Sequence, residues 1–147
     1  MKTMKNRLGT IFLPALVLAA MFAAHPARAQ QAATADSLGA YELSEVEVLP
    51  QMQNRRDVVR YTVEYYPRDL RRTRQQGTVT LRFIIRADGP TDSDHISVEN
   101  SSNAAFEHAG VRVVRQMRFS PARINGERVP VWVTLPIVFF PPPRYDN

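Results

Sequence analysis

Val129-Pro130-Val131-Trp132-Val133-Thr134-Leu135-Pro136-Ile137-Val138-Phe139-Phe140 is almost wholly apolar and rich in β-branched and aromatic residues, the composition of a long strand. Its odd-numbered members share one face of a sheet and its even-numbered members the other. Both prolines fall on the even parity. Proline carries no N–H, so it sits where a ladder needs no donor, at a sheet edge. Backbone groups of alternate residues point to alternate sides of a strand. Pro130 and Pro136 therefore point the same way, outward, and the odd residues bond a neighbour without a gap. The outward side keeps donors at Trp132, Thr134 and Val138. Such an edge resists casual pairing yet can accept one guest strand.

The strand's partners lie upstream. Residues 78–87 alternate strictly, with Val79, Leu81, Phe83, Ile85 and Ala87 against Thr78, Thr80, Arg82, Ile84 and Arg86. Asp88-Gly89-Pro90 is a turn signal, and residues 95–100 read as a second strand with Ile96 and Val98 inward. Ser101-Ser102-Asn103 offers N-cap candidates for a helix through Met117. Phe106, Ala109, Gly110, Val113 and Met117 share one face of that helix. Gly110 on the apolar face implies a close approach of helix to sheet. Asn125-Gly126 is a turn before the last strand.

Before this block, residues 51–65 are expected to be helical, although their β-branched members count against it. Tyr66-Pro67 breaks that helix, and a short one follows over 68–74, with Gly77 as a left-handed cap. Glu42, Glu45 and Glu47 interleave with Leu43, Val46 and Val48 as a short edge strand. The fold class is α+β: a three-stranded antiparallel sheet, order second-first-third, packed on an amphipathic helix, with a preceding helical segment.

The chain has 147 residues and no cysteine, so no disulfide framework or thiolate site is available. Residues 1–29 read as a signal peptide: Lys2, Lys5 and Arg7, an apolar run over 11–24, and Ala27-Arg28-Ala29 as the cleavage site. The alternative is an uncleaved anchor through the uncharged stretch 8–27, weakened by Pro14 and Pro26. Residues 30–45 form a linker, 46–140 the folded domain, and 141–147 a disordered Pro-rich tail. The formal charge of +5 comes largely from the leader. Beyond Ala29 the chain holds 15 arginines, no lysine and 14 acidic residues, so a general nucleic-acid surface is not expected.

Asp88, Asp92, Asp94 and His95 match no known metal loop and read as a solvated turn. His108 with Ser101 or Ser102 forms no recognisable catalytic set, and paired acids and a phosphate loop are missing. No catalytic residue, metal or cofactor is expected. Arg68, Arg71, Arg72 and Arg74 read as a solvated helix face. Trp132 is read equally as a docking anchor or as packing beneath the first helix.

Taken in order, the residues form a recognisable frame. It runs Tyr66-Pro67, Gly77-x-Val79-x-Leu81-x-Phe83, Asp88-Gly89, Ser101-Ser102, Phe106 and Ala109. It continues through Met117-Arg118-Phe119-Ser120-Pro121-Ala122, Gly126, Val129, Val131 and Pro136-Ile137-x-Phe139. This set resembles the C-terminal domain of the TonB family of periplasmic energy transducers. The resemblance implies the same fold, and docking of an extended segment of an outer-membrane TonB-dependent transporter as a strand added to the last strand. Carried over, the docking edge comprises Val129, Val131, Trp132, Val133, Thr134, Leu135 and Val138. The family also uses the residues before and at its Tyr-Pro, here Val63, Tyr66 and Pro67; Val63 stands where the classical form has glutamine. The classical form also has an uncleaved membrane helix with a histidine, which the apolar run 8–24 lacks, and a long proline-rich spacer. Here residues 30–40 span at most about 40 Å.

The expected function is therefore a periplasmic protein-binding domain acting in outer-membrane transport. The alternative is an envelope interaction module without energy coupling, pairing edge to edge with a second copy. Membrane contact is expected only with an uncleaved leader, which would place the domain in the periplasm behind an inner-membrane anchor.

Overall fold

The computed structural model describes residues 35–143, all within one unit of the chain. The expected signal segment 1–29, residues 30–34 of the expected linker and residues 144–147 of the expected tail lie outside the described residues. The elements run β1 (Tyr41–Glu42), α1 (Arg55–Glu64), α2 (Arg68–Arg71), β2 (Gly77–Ile85), β3 (Thr91–Ser101), α3 (Ala105–Arg115), β4 (Ala122–Ile124), β5 (Glu127–Val129) and β6 (Val131–Phe139).

The alternation in β2 decides the layering. Val79, Leu81, Phe83 and Ile85 are wholly buried and face α3. Strands β3 and β6 flank β2 on either side, both antiparallel to it, giving the expected central order. α3 lays Phe106, Ala109, Gly110 and Val113 on this face as its period predicts, and Val114 joins them; the helix ends at Arg115, and Met117, expected within it, is buried just beyond its end. Gly110 allows this close approach: a Cβ there would sit 3.1 Å from Leu81 Cδ1 and 3.3 Å from Val79 Cγ1, tighter than ordinary contact. Asn103 serves the α3 N-terminus, its Oδ1 accepting the Ala105 N–H at 2.9 Å. Gly126 and Asn125 both take positive φ, 80° and 50°, the geometry of a tight hairpin between β4 and β5.

Five sequence expectations change. The stretch 129–140 is not one strand, because Val129 belongs to β5 and pairs with Ala122 in a separate two-stranded sheet. Pro130 is the break: without an N–H it ends one ladder, and the chain turns into β6 at Val131. The main sheet has four strands, since β1 pairs in parallel with the start of β6, Tyr41 against Val131 and Glu42 against Trp132. The region expected to be linker therefore contributes a strand, with Ala40 buried beneath it. The helix expected from residue 51 begins only at Arg55, because residues 51–53 are drawn onto the segment that follows the C-terminus of α3. There Met52 bridges Phe119 and the Gln53 N–H reaches the Arg118 carbonyl. Val98 lies opposite Leu81 and so on the α3 face, but on the edge strand β3 it stays 36% exposed rather than buried.

Gly77 is the fifth correction. It opens β2 rather than capping a helix, and the positive φ, 52°, falls on Arg74. Glycine is required because the Phe106 ring occupies the space of its side chain: an added Cβ would lie 2.1 Å from Phe106 Cε2. Phe106 in turn stacks on Phe139, centroids 5.2 Å apart, and meets the edge of Tyr66 at 5.6 Å. This aromatic stack ties the α3 N-terminus to the last residue of β6. A Gly77→Ala change should therefore displace Phe106 and lower stability by about 1–3 kcal/mol. The urea midpoint measures it; an unchanged midpoint would show that the ring is not held there.

Candidate functional site

The distinctive surface is the side of β6 that faces away from β2. The register pairs Thr80 with Pro136, and a residue without an N–H cannot form a hydrogen-bonded antiparallel pair. The bonded pairs are therefore Gly77–Phe139, Val79–Ile137, Leu81–Leu135, Phe83–Val133 and Ile85–Val131. Neighbouring bonds agree with this parity. The Thr78 carbonyl turns away from β6 to accept the Ser102 N–H at 2.9 Å, and the Pro130 carbonyl turns away from β2 to accept the Tyr41 N–H at 3.0 Å. The N–H groups of Trp132, Thr134 and Val138 and the carbonyls of Trp132, Thr134, Pro136 and Val138 consequently lie on the outer edge.

β1 covers only the head of this edge, at Val131 and Trp132. Beyond it, no strand among the described residues pairs with the outer side of residues 133–139. That length spans roughly 20 Å at the usual rise. Thr134, Pro136 and Val138 are exposed, and Val138 leaves 37% of its surface in solvent. Val133 and Leu135 are half-buried on the α3 face.

Of the predicted docking residues, Val131, Trp132, Val133, Thr134, Leu135 and Val138 all lie on β6, while Val129 lies in β5. Tyr66 sits in the core, 2% exposed, and its hydroxyl donates to the Gln75 carbonyl. Burial pushes its phenol pKa up, opposed by the charges of Arg74 and Arg71. Val63 is exposed, and Pro67 lines an open cleft of about 590 Å³ between the Tyr-Pro turn and α3. Arg68, Arg71, Arg112 and His108 also line that cleft, with Glu64 and Asp69 among them. Arg112 lies over the Tyr65 ring at 3.9 Å.

Trp132 does not pack beneath the first helix. On the sheet face opposite α3, its indole N–H donates to Asp36 Oδ2 at 2.7 Å. The other carboxylate oxygen accepts the N–H groups of Leu38 and Ala40, both at 2.9 Å, folding residues 36–40 into a tight knuckle. The Arg82 guanidinium lies over the indole at 4.8 Å and reaches on to Glu42. Asp36, Tyr41, Glu42 and Arg82 were not legible as site residues. A two-residue parallel strand has no period of its own, and its partners lie some ninety positions away.

The remaining polar clusters are locally spent. Asp92 accepts the Asp94 N–H and His95 Nδ1, which hold its carboxyl below the usual range, while Asp88 takes Arg86. Ser101 and Ser102 bond backbone groups of Asn103 and Thr78.

The family described as Gram-negative bacterial TonB protein C-terminal matches residues 62–141, more than half of the 147. The chain belongs to the TonB C-terminal domain family. No curated protein matches it. TonB C-terminal domains are non-catalytic interaction domains of transport energy transduction in the periplasm, typically engaging outer-membrane TonB-dependent transporters. The match covers α2, β2–β6 and α3; Asp36, Tyr41 and Glu42 lie outside it. No helix among the described residues is long and apolar enough to cross a membrane.

The Asp36 clasp has a pH signature. The Trp132 hydrogen bond, then the Ala40 and Leu38 amides and the Arg82 charge, hold the Asp36 carboxyl below its ordinary value. A depressed carboxylate contributes above its unfolded pKa and loses that contribution as pH falls through the folded value. Trp132, the single tryptophan, reports it. Acidification should shift its fluorescence with a midpoint below that of an ordinary aspartate, and Asp36→Ala should abolish the transition. An identical transition in the variant would contradict the clasp.

Proposed function

We propose that this TonB C-terminal domain binds the periplasmic N-terminal segment of an outer-membrane TonB-dependent transporter, which adds as a strand to β6. The observation that carries this is the outer edge of residues 133–139, with donors at Thr134 and Val138 and no partner strand among the described residues. Such an edge gives affinity through main-chain bonds and specificity through flanking side chains. Pro136 leaves one guest carbonyl to water, while the Thr134, Pro136 and Val138 carbonyls stay available to guest donors. Val63, beside the core Tyr66-Pro67, contributes exposed apolar surface at the end of α1.

The domain acts in the periplasm, with residues 1–29 as its signal peptide and 30–34 as the start of a short arm. N-terminal sequencing of the exported protein should then read from Gln30. An intact Met1 in the membrane fraction would instead make the leader an anchor and restore direct coupling to the inner membrane.

Peptides covering the periplasmic N-termini of transporters from the same genome should perturb the amides of Thr134 and Val138 in ¹⁵N-labelled protein, and Thr134→Pro should remove the effect. Perturbation by none of them would contradict docking. The exposed Val138 and Phe140 favour a second occupant, a copy of the same edge. Concentration-dependent mass doubling abolished by Thr134→Pro would identify it; a concentration-independent monomer excludes it.

A further inference from the structure

We propose that residues 36–42 are an internal guest strand, occupying the head of the docking edge in the same way as an incoming segment and leaving when that segment pairs along the whole of β6. The inference rests on the docking function above and adds its regulation.

Three observations converge on the segment. First, β1 uses the outer, even-parity groups of β6, the same set that continues as the open edge: the Tyr41 N–H takes the Pro130 carbonyl, and the pairing is parallel. An external strand reaching back to Val131 and β1 cannot occupy these groups together. Second, the segment is held by few contacts beyond its two paired residues, and most of its side chains are exposed. Its fastenings are the Asp36–Trp132 bond, the Glu42–Arg82 pair and the buried methyl of Ala40. Ion pairs and hydrogen bonds this exposed contribute little each, so the segment is a removable occupant rather than part of the core. Third, the chain leaves the edge immediately after Glu42. The Glu45 N–H bonds the Glu42 carbonyl at 3.0 Å, and the Glu47 N–H reaches the Arg123 carbonyl at 2.9 Å. The coverage is thus a stop at one end of the edge, with residues 133–139 left as the landing site.

Arg82 and Trp132 hold the internal strand from the sheet face. Arg82 stands across from Thr134 and extends over the Trp132 ring to a carboxylate on the edge strand. Once residues 36–42 depart, both side chains face the incoming strand. They therefore act as positioning residues that favour a carboxylate opposite Trp132, the place Glu42 holds.

The test uses the purified full chain and a synthetic peptide of residues 36–43, added in trans. Asp36 and Glu42 are exposed, so the Asp36→Ala/Glu42→Ala double variant keeps the core intact. Losing both fastenings should let the peptide bind this variant about tenfold tighter than wild type, read as amide shifts at Trp132 and Thr134. Adding Arg82→Ala should cancel most of that gain, as should a peptide with glutamine in place of its Glu42. Equal affinity for wild type and double variant, or no binding to either, overturns the internal guest. Transporter peptides separate the two levels. If they bind wild type and double variant equally, docking stands and the internal guest fails. If none binds while the residue 36–43 peptide still discriminates, the internal guest stands and transporter docking fails.

Discussion

A proline nitrogen has no hydrogen to donate, and two such nitrogens set the hydrogen-bond parity of β6. Pro136 can lie opposite Thr80 only as a non-bonded pair. That choice sends every odd residue of β6 to β2 and every even one outward. One consequence is structural: Val131, Ile137 and Phe139, the odd residues at either end, are buried against α3. The other is functional, because a row of carbonyls and two amides remain on a free edge. Pro130 ends the ladder of the small β4–β5 sheet and stands just before this one, which separates the arm that carries Val129 from the open-edged strand β6.

The core packing braces the strand that carries this edge. Phe139 stacks on Phe106, Phe106 fills the space above Gly77, and the Tyr66 ring closes the group from the side. Losing a ring of this kind from a core costs about 3–5 kcal/mol. Gly110 lets α3 lie close on β2, and Gly89, with φ 105°, brings the β2–β3 turn onto the Phe119 carbonyl. The Phe119 N–H donates to the Gly89 carbonyl in return, at 2.9 Å. A strand fixed at both ends presents its outer groups already aligned, which reduces the ordering cost borne by a guest.

The layers and the edge were legible in the sequence because each rests on a local period. The alternation of β2, the face of α3 and the equal parity of Pro130 and Pro136 need no knowledge of distant residues. What escaped depends on contacts far apart in the chain. Gly77 looked like a cap because it follows a helix, yet it is small because of Phe106. Val98 lies opposite Leu81 on the α3 face, yet on the edge strand β3 it keeps 36% of its surface in solvent, which alternation does not record. Trp132 found its partner in Asp36, inside a stretch whose small polar residues resemble a linker. Half of the site was thus visible as an edge, and its present occupant was not.

Amide hydrogen exchange along β6 in the free protein tests the central claim most directly. The parity predicts slow exchange at Val133, Leu135 and Ile137, whose N–H groups bond β2, and exchange near the solvent rate at Thr134 and Val138. Trp132, beneath β1, should fall between these groups. Protection of Thr134 and Val138 equal to that of their odd-numbered neighbours would contradict an open docking edge.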